Sequence, residues 1–154
     1  MNPYHQPFLS QQNLLVGILA VIATASLIGK EGQLVELTRI ASGANTGKLG
    51  ADVPDAITDT NLYLLVEGAA AGEKVRVAPL IEGESYKIRC NGTGTATAVL
   101  CLAAVGTAAD KGKLRTVPGA AGTYRQLFTA EEDFVDEQLT QVRCTRYLGN
   151  VTVS

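Results

Sequence analysis

The sequence predicts a mainly β domain, a small β-barrel or β-sandwich, preceded by an extended N-terminal arm. Three observations carry this expectation. Short apolar or alternating runs recur at regular spacing between glycine-centred turns. Gly numbers 16 and small residues abound, while Trp is absent and there are three Phe and five Tyr, a balance that suits short strands over long helices. No segment sustains a helical period; the acidic stretch "AEEDFVDEQL", residues 130–139, is the one helix candidate and also reads as a turn. With 154 residues, 46% hydrophobic and 18% charged, the chain suffices for one domain with a real core.

The opening "MNPYHQPFLSQQN" contains two prolines, no charged side chain and no helical period. It reads as an extended arm that needs a partner's surface to become ordered. Residues 13–29, "NLLVGILAVIATASLIG", form a nearly continuous apolar run with two readings. One is a buried strand that follows the arm. The other is a targeting segment over residues 14–29, with "ATA" offering small residues for cleavage. The first basic residue, however, is Lys30, after the run and not before it. A membrane span also needs about 20 apolar residues, and Gly17, Thr24 and Ser26 interrupt this run. We therefore expect an arm and apolar lead-in over residues 1–24 and a single β-rich domain over residues 25–154.

From Lys30 onward the chain reads as strand, turn, strand. "GKEG" is a turn and "QLVELTRI" suits a half-exposed strand. "ASGANTGKLGADVPDAITD", residues 41–59, reads as a long surface loop because Gly, Asp, Asn and Pro dominate it. "LYLLVEG" is a buried strand, "AAAGE" a turn, and "KVRVAPL" places Val75 and Val77 inward against Lys74, Arg76 and Ala78. "SYKIRC", "TATAVLCLAAV" after an "NGTG" turn, "LRTVP", "YRQLFTA", "QLTQVRC" and "NVTV" complete the strand series.

Chemistry-bearing motifs are few. "SGANTGKLG" places Gly47 and Lys48 as a phosphate-binding loop would, yet Ser42 stands where the first glycine belongs and Leu49 replaces the hydroxyl that holds Mg²⁺. "NGTGTA" lacks the third glycine and following helix of a dinucleotide fingerprint. Glu131, Glu132, Asp133, Asp136 and Glu137 lack calcium-loop spacing and read as a solvated acidic turn. His5 is the sole histidine and lies in the arm, which leaves no acid–base pair for nucleophilic catalysis. We expect no enzyme, no cofactor and no metal site. The net charge of −2 argues against a nucleic-acid partner, which would require a basic stripe. We expect no membrane partner either. Cys90, Cys101 and Cys144 are odd in number and lack CxxC spacing, so they read as reduced, buried thiols, with a Cys90–Cys101 bridge left open. Asn91 and Asn150 match the glycosylation acceptor, which matters only in a secreted chain.

Three stretches, "ASLIGKEGQLVELT", "DAITDTNLYLLVEGAAAGEKVRVAPL" and "GTYRQLFTAEEDFVDEQLTQVRC", follow one another in an order that resembles the head decoration, or cement, proteins of tailed bacteriophages. In that family a strand ending in Leu-Ile-Gly precedes an "LVKL"-type strand, an Ala- and Gly-rich turn leads into "V-x-V", and a late segment repeats the rhythm. This chain departs at residues 130–144, where a small-residue turn is usual, and in the apolar lead-in before Ala25.

The resemblance implies a β-tulip-like fold and a structural virion protein, made in the host cytoplasm. It would bind the outer surface of the expanded head and cement the major capsid protein lattice against internal DNA pressure. It also implies self-association, as a homotrimer at local threefold positions. Within the arm, Tyr4, Pro7, Phe8 and Leu9 are the expected capsid-contacting residues. The alternative is a secreted or surface-anchored β-domain with residues 14–29 as its targeting segment.

Overall fold

Twelve strands and one short 3-10 turn make up the described residues of the computed structural model, which are 18–55, 61–103 and 109–154. The first five strands are β1 (Leu19–Ala23), β2 (Leu34–Arg39), β3 (Leu49–Asp52), β4 (Leu62–Glu67) and β5 (Lys74–Pro79). They close a barrel in the order β1-β3-β2-β4-β5, with β5 pairing back onto β1. Every neighbouring pair is antiparallel except β1 and β3.

The other strands are β6 (Ser85–Arg89), β7 (Val99–Leu102), β8 (Leu114–Thr116), β9 (Gly122–Arg125), β10 (Phe128–Ala130), β11 (Leu139–Cys144) and β12 (Asn150–Val153). Five of them form an antiparallel sheet ordered β6-β11-β10-β7-β8, while β9 and β12 make a separate two-stranded ribbon.

Period-2 patterning explains why the barrel and the sheet stay together. Along β4, Leu65 and the half-buried Tyr63 point into the barrel with Val21, Ala23, Val35, Leu37, Ala51, Val75 and Val77. The alternate residues Leu62, Leu64 and Val66 point outward onto the second sheet, where they meet Tyr86, Ile88, Leu100, Phe128 and Val142. A strand covered on both faces must be apolar at every position, and "LYLLV" is. Leu34 of β2 and Ala78 of β5 extend the same outer contact. Ala78 is therefore buried, contrary to the simple alternation expected of β5, because the barrel's outer wall is itself covered. Phe128 is fully buried and meets Tyr86 edge-to-face at 6.3 Å, the geometry that aromatic quadrupoles favour.

Three expectations change. The lead-in expected to precede a domain starting at residue 25 contains β1, a barrel stave whose Val21, Ile22 and Ala23 are buried. The domain therefore includes Leu19–Ala23. The expected loop over residues 41–59 contains β3, which pairs with β1 and β2. Its sequence, LGAD, is too short and too small to stand out, and Gly50 lets the strand approach closely, since an added Cβ would lie 2.5 Å from Thr24 Cγ2 and 2.8 Å from Ile40 Cγ1 and would force those side chains to shift. The stretch "YRQLFTA" is two strands, β9 and β10, separated at Gln126 and Leu127.

The acidic segment after β10 forms turns, not a helix, and mirrors the segment after β6. Gly94 and Phe134 exchange both backbone hydrogen bonds, at 3.1 and 2.9 Å. Around them, Glu137 N–H donates to Cys90 C=O and Thr97 N–H to Ala130 C=O, at 2.9 and 2.8 Å. Thr97 and Glu137, which take equivalent places, are the two non-glycine residues with positive φ among the described residues, 74° and 65°. The two loops share this geometry about a local pseudo-dyad although "CNGTGTATAVL" and "AEEDFVDEQLT" have little sequence in common.

Cys90, Cys101 and Cys144 are free and buried, and Cys90 and Cys101 are not bridged. Burial pushes the Cys90 and Cys144 thiols up to about 11 and also raises Cys101, which suppresses the reactive thiolate. The native protein is expected to give almost no rapid reaction with a thiol-disulfide reagent at pH 8, and three equivalents after denaturation. Rapid titration of one thiol in the folded state would contradict this burial.

Candidate docking surface

The described residues bring together no group of three His, Cys, Asp or Glu side chains that could hold a metal ion. Gly47 and Lys48 belong to a turn that bonds to itself: Thr46 Oγ1 donates to Gly43 C=O at 2.6 Å and Lys48 Nζ to Asn45 Oδ1 at 3.0 Å. It leads into β3 and not a helix, so no helix N-terminus faces a phosphate. The "NGTG" turn is likewise structural, because Gly92 N–H donates to Asp136 at 2.8 Å.

The acidic segment is a bracket, not a freely solvated turn. Asp133 accepts from Ala96 N–H at 2.7 Å, Asp136 accepts from Gly92 and Asn91, and Glu132 accepts from Gln141 N–H at 2.8 Å. Glu137 and Asp110 hold the buried Lys113 ammonium. Burial opposes that charge, but hydrogen bonds from Lys113 to Glu137 and Asp110 outweigh it and leave its pKa raised.

Glu131 receives Ser85 Oγ at 2.7 Å, Gln141 Nε2 at 3.0 Å and Arg143 Nε at 2.8 Å. Its burial alone would raise the carboxyl pKa, yet these donors outweigh burial and lower it. A carboxyl with a lowered folded-state pKa contributes stability above its unfolded value, about 4.3, that is lost as pH falls through the folded value. Thermal melts should therefore lose stability as pH falls from about 4.3, and Glu131→Gln should flatten that part of the curve. An unchanged acid limb in the variant would place the titration elsewhere.

Among the described residues, the exposed apolar side chains are the functional candidate. Tyr147 and Leu148, at 64% and 56% exposure, stand on the 3-10 turn between β11 and β12. Ile28 and Val135 project from turns. Leu19 and Leu49, at 44% and 49%, face a groove of about 420 Å³ at the β1/β3 seam, together with Val21, Lys48 and Lys74. In the sequence, Lys48 and Leu49 drew notice only against the phosphate-loop pattern, and no residue of this set was singled out as a contact residue. The seam became visible only once β3 was found within the glycine-rich stretch.

The expected contact residues Tyr4, Pro7, Phe8 and Leu9 lie outside the described residues. Among the described residues no helix is long and apolar enough to cross a membrane.

No protein-family model and no curated protein matches the sequence. The fold is similar to that of the N base of the head fiber gp8.5 of bacteriophage phi29, with a TM-score of 0.60 and 13% sequence identity. The similarity covers 84% of this chain and 94% of that one. At this identity the likeness establishes a shared fold, with the barrel expected from the sequence as part of it.

Proposed function

We propose that this chain is a structural protein of a tailed-phage virion that binds the outer surface of the expanded head and cements the major capsid protein lattice against internal pressure. The observation that carries this reading is the fold shared with a head-fiber base over nearly the whole of that chain. The structural roles of the acidic, glycine-rich and cysteine motifs support it, because they leave a β scaffold with exposed apolar side chains at Leu19, Ile28, Leu49, Val135, Tyr147 and Leu148 for contact. Binding the expanded shell more tightly than its precursor would stabilise the expanded state by the difference in affinity. Self-association as a homotrimer at local threefold positions would multiply modest contacts. The role is structural and not enzymatic.

The arm residues Tyr4, Pro7, Phe8 and Leu9 supply the capsid contact in this proposal. The rival, a secreted or surface-anchored β-domain with a targeting segment over residues 14–29, is disfavoured in its cleaved form. Cleavage near Ser26 would remove β1 from the barrel.

Pelleting of full-length protein with expanded heads stripped of it tests the proposal. Saturation at a fixed number of copies, with little binding to unexpanded shells, is expected; no saturable binding would reject the cement role. Deletion of residues 1–12 should weaken shell binding at least about tenfold if the arm's apolar side chains are buried on the capsid. Unchanged binding would remove the arm from the interface.

A further inference from the structure

We propose that the open β1/β3 seam is a docking groove for one extended segment of another protein. That segment is apolar where it meets Leu19 and Leu49, and it carries a carboxylate where it meets Lys48 and Lys74.

The backbone supplies the first argument. On its β5 side, β1 is paired from Leu19↔Val77 through Ile22↔Lys74. On its β3 side the register consists of Ile22↔Gly50 and Ala23↔Ala51. Among the described residues, Leu19 and Ala20 therefore extend past the start of β3 and have no residue of that strand opposite them at the seam. Ala23 directs its backbone groups toward Glu73 and Gly72, whereas Thr24 N–H donates to Ala51 C=O. By alternation along the strand, Ala20 turns its N–H and C=O toward the seam. An unpaired edge of this kind is a template for one more strand.

Side chains supply the second argument. Leu19 and Leu49 are both about half exposed and line one groove, so an incoming strand buries apolar surface as well as completing backbone bonds. Among the described residues, the lining includes Lys48 and Lys74 and no carboxylate. Charge complementarity therefore selects an occupant that bears one. It also argues against the arm of a second copy, because residues 1–18 contain neither Asp nor Glu. The groove deepens the docking reading above by stating what the partner presents, but the seam geometry exists independently of it.

The test uses the full-length, ¹⁵N-labelled protein and three synthetic peptides. One alternates Thr and Val and ends in Asp-Glu, the second ends instead in Lys-Lys, and the third is residues 1–17. The acidic peptide should shift the Leu19–Val21 and Leu49–Gly50 amides, bind at least about fivefold more tightly than the Lys-Lys peptide, and weaken with added salt. Lys48→Glu combined with Lys74→Glu should remove that preference, and Leu49→Asp should weaken the acidic peptide independently. All three sites are on the surface, and retained amide dispersion shows that the variants are folded.

Absence of seam shifts at millimolar acidic peptide, or equal binding of the Lys-Lys peptide, would overturn the proposal. Tighter binding of the 1–17 peptide would also overturn it and give the groove to a neighbouring copy's arm. The titration needs no shell. A negative result beside saturable shell binding removes the groove alone, and a positive result without shell binding removes the virion role alone.

Discussion

Removing residues 1–25 is expected to abolish the cooperative thermal unfolding of the protein. β1 pairs with β5 on one side and β3 on the other, so it is the stave through which the barrel closes. Its loss exposes two strand edges at once and strips Val75, Val77 and Ala51 of their packing against Val21 and Ala23. Burying Val21 and Ile22 contributes about 1.5–3 kcal/mol each, before any ladder hydrogen bond is counted, against a total stability of about 5–15 kcal/mol for a domain. Scanning calorimetry of the truncated chain should show no native-like transition. A sharp transition near that of the full chain would mean that β1 is dispensable, and would return residues 14–29 to consideration as a removable targeting segment.

Gly112→Ala should be strongly destabilising for so small a substitution. Gly112 has φ +86°, and a Cβ there would lie 2.3 Å from the backbone oxygen of Leu34. Its own C=O accepts from Leu34 N–H at 2.7 Å, tying β2 of the barrel to the turn that leads into β8 of the sheet. The methyl group meets backbone with no flexible end to yield, so the contact opens and the bond is lost with it. Strain and overpacking together should cost about 3 kcal/mol or more, a drop in Tm of roughly 6–12 °C for a chain of this size. Gly72→Ala is the internal control, since Gly72 has φ +87° with nothing within 4 Å and suffers the backbone penalty alone. Equal losses in the two variants would show that the Leu34–Gly112 contact contributes little.

Much of the strand order was legible because alternation and glycine punctuation are local signals. "LVELTR", "LYLLVE", "KVRVAP", "SYKIR" and "LTQVRC" all became strands where their patterns placed them. β3 was not legible, because "LGAD" owes its strand state to neighbours on both sides and not to its own propensity. The pairing of the two pseudo-dyad loops was equally hidden, since the equivalence lies in backbone bonds and shared positive φ with no matching side chains to reveal it. The candidate site fared least well. The arm residues Tyr4, Pro7, Phe8 and Leu9, singled out in an uncharged apolar segment, lie outside the described residues, and the seam residues Leu19, Lys48, Leu49 and Lys74 are dispersed over three chain segments with no local pattern to join them.

The sequence by itself determined that this protein is β-rich and that its acidic and glycine-rich motifs lack metal-loop and phosphate-loop spacing, because composition, period and spacing are properties of contiguous residues. Only the tertiary structure decided that the apolar lead-in supplies a stave, that β4 is covered on both faces, and that the acidic segment is a bracket. Among the described residues, it also brought Leu19 and Leu49 together with Lys48 and Lys74 around one groove. Each of these depends on which distant segments lie side by side, and strand pairing across a closed barrel is set by the packing of the whole core.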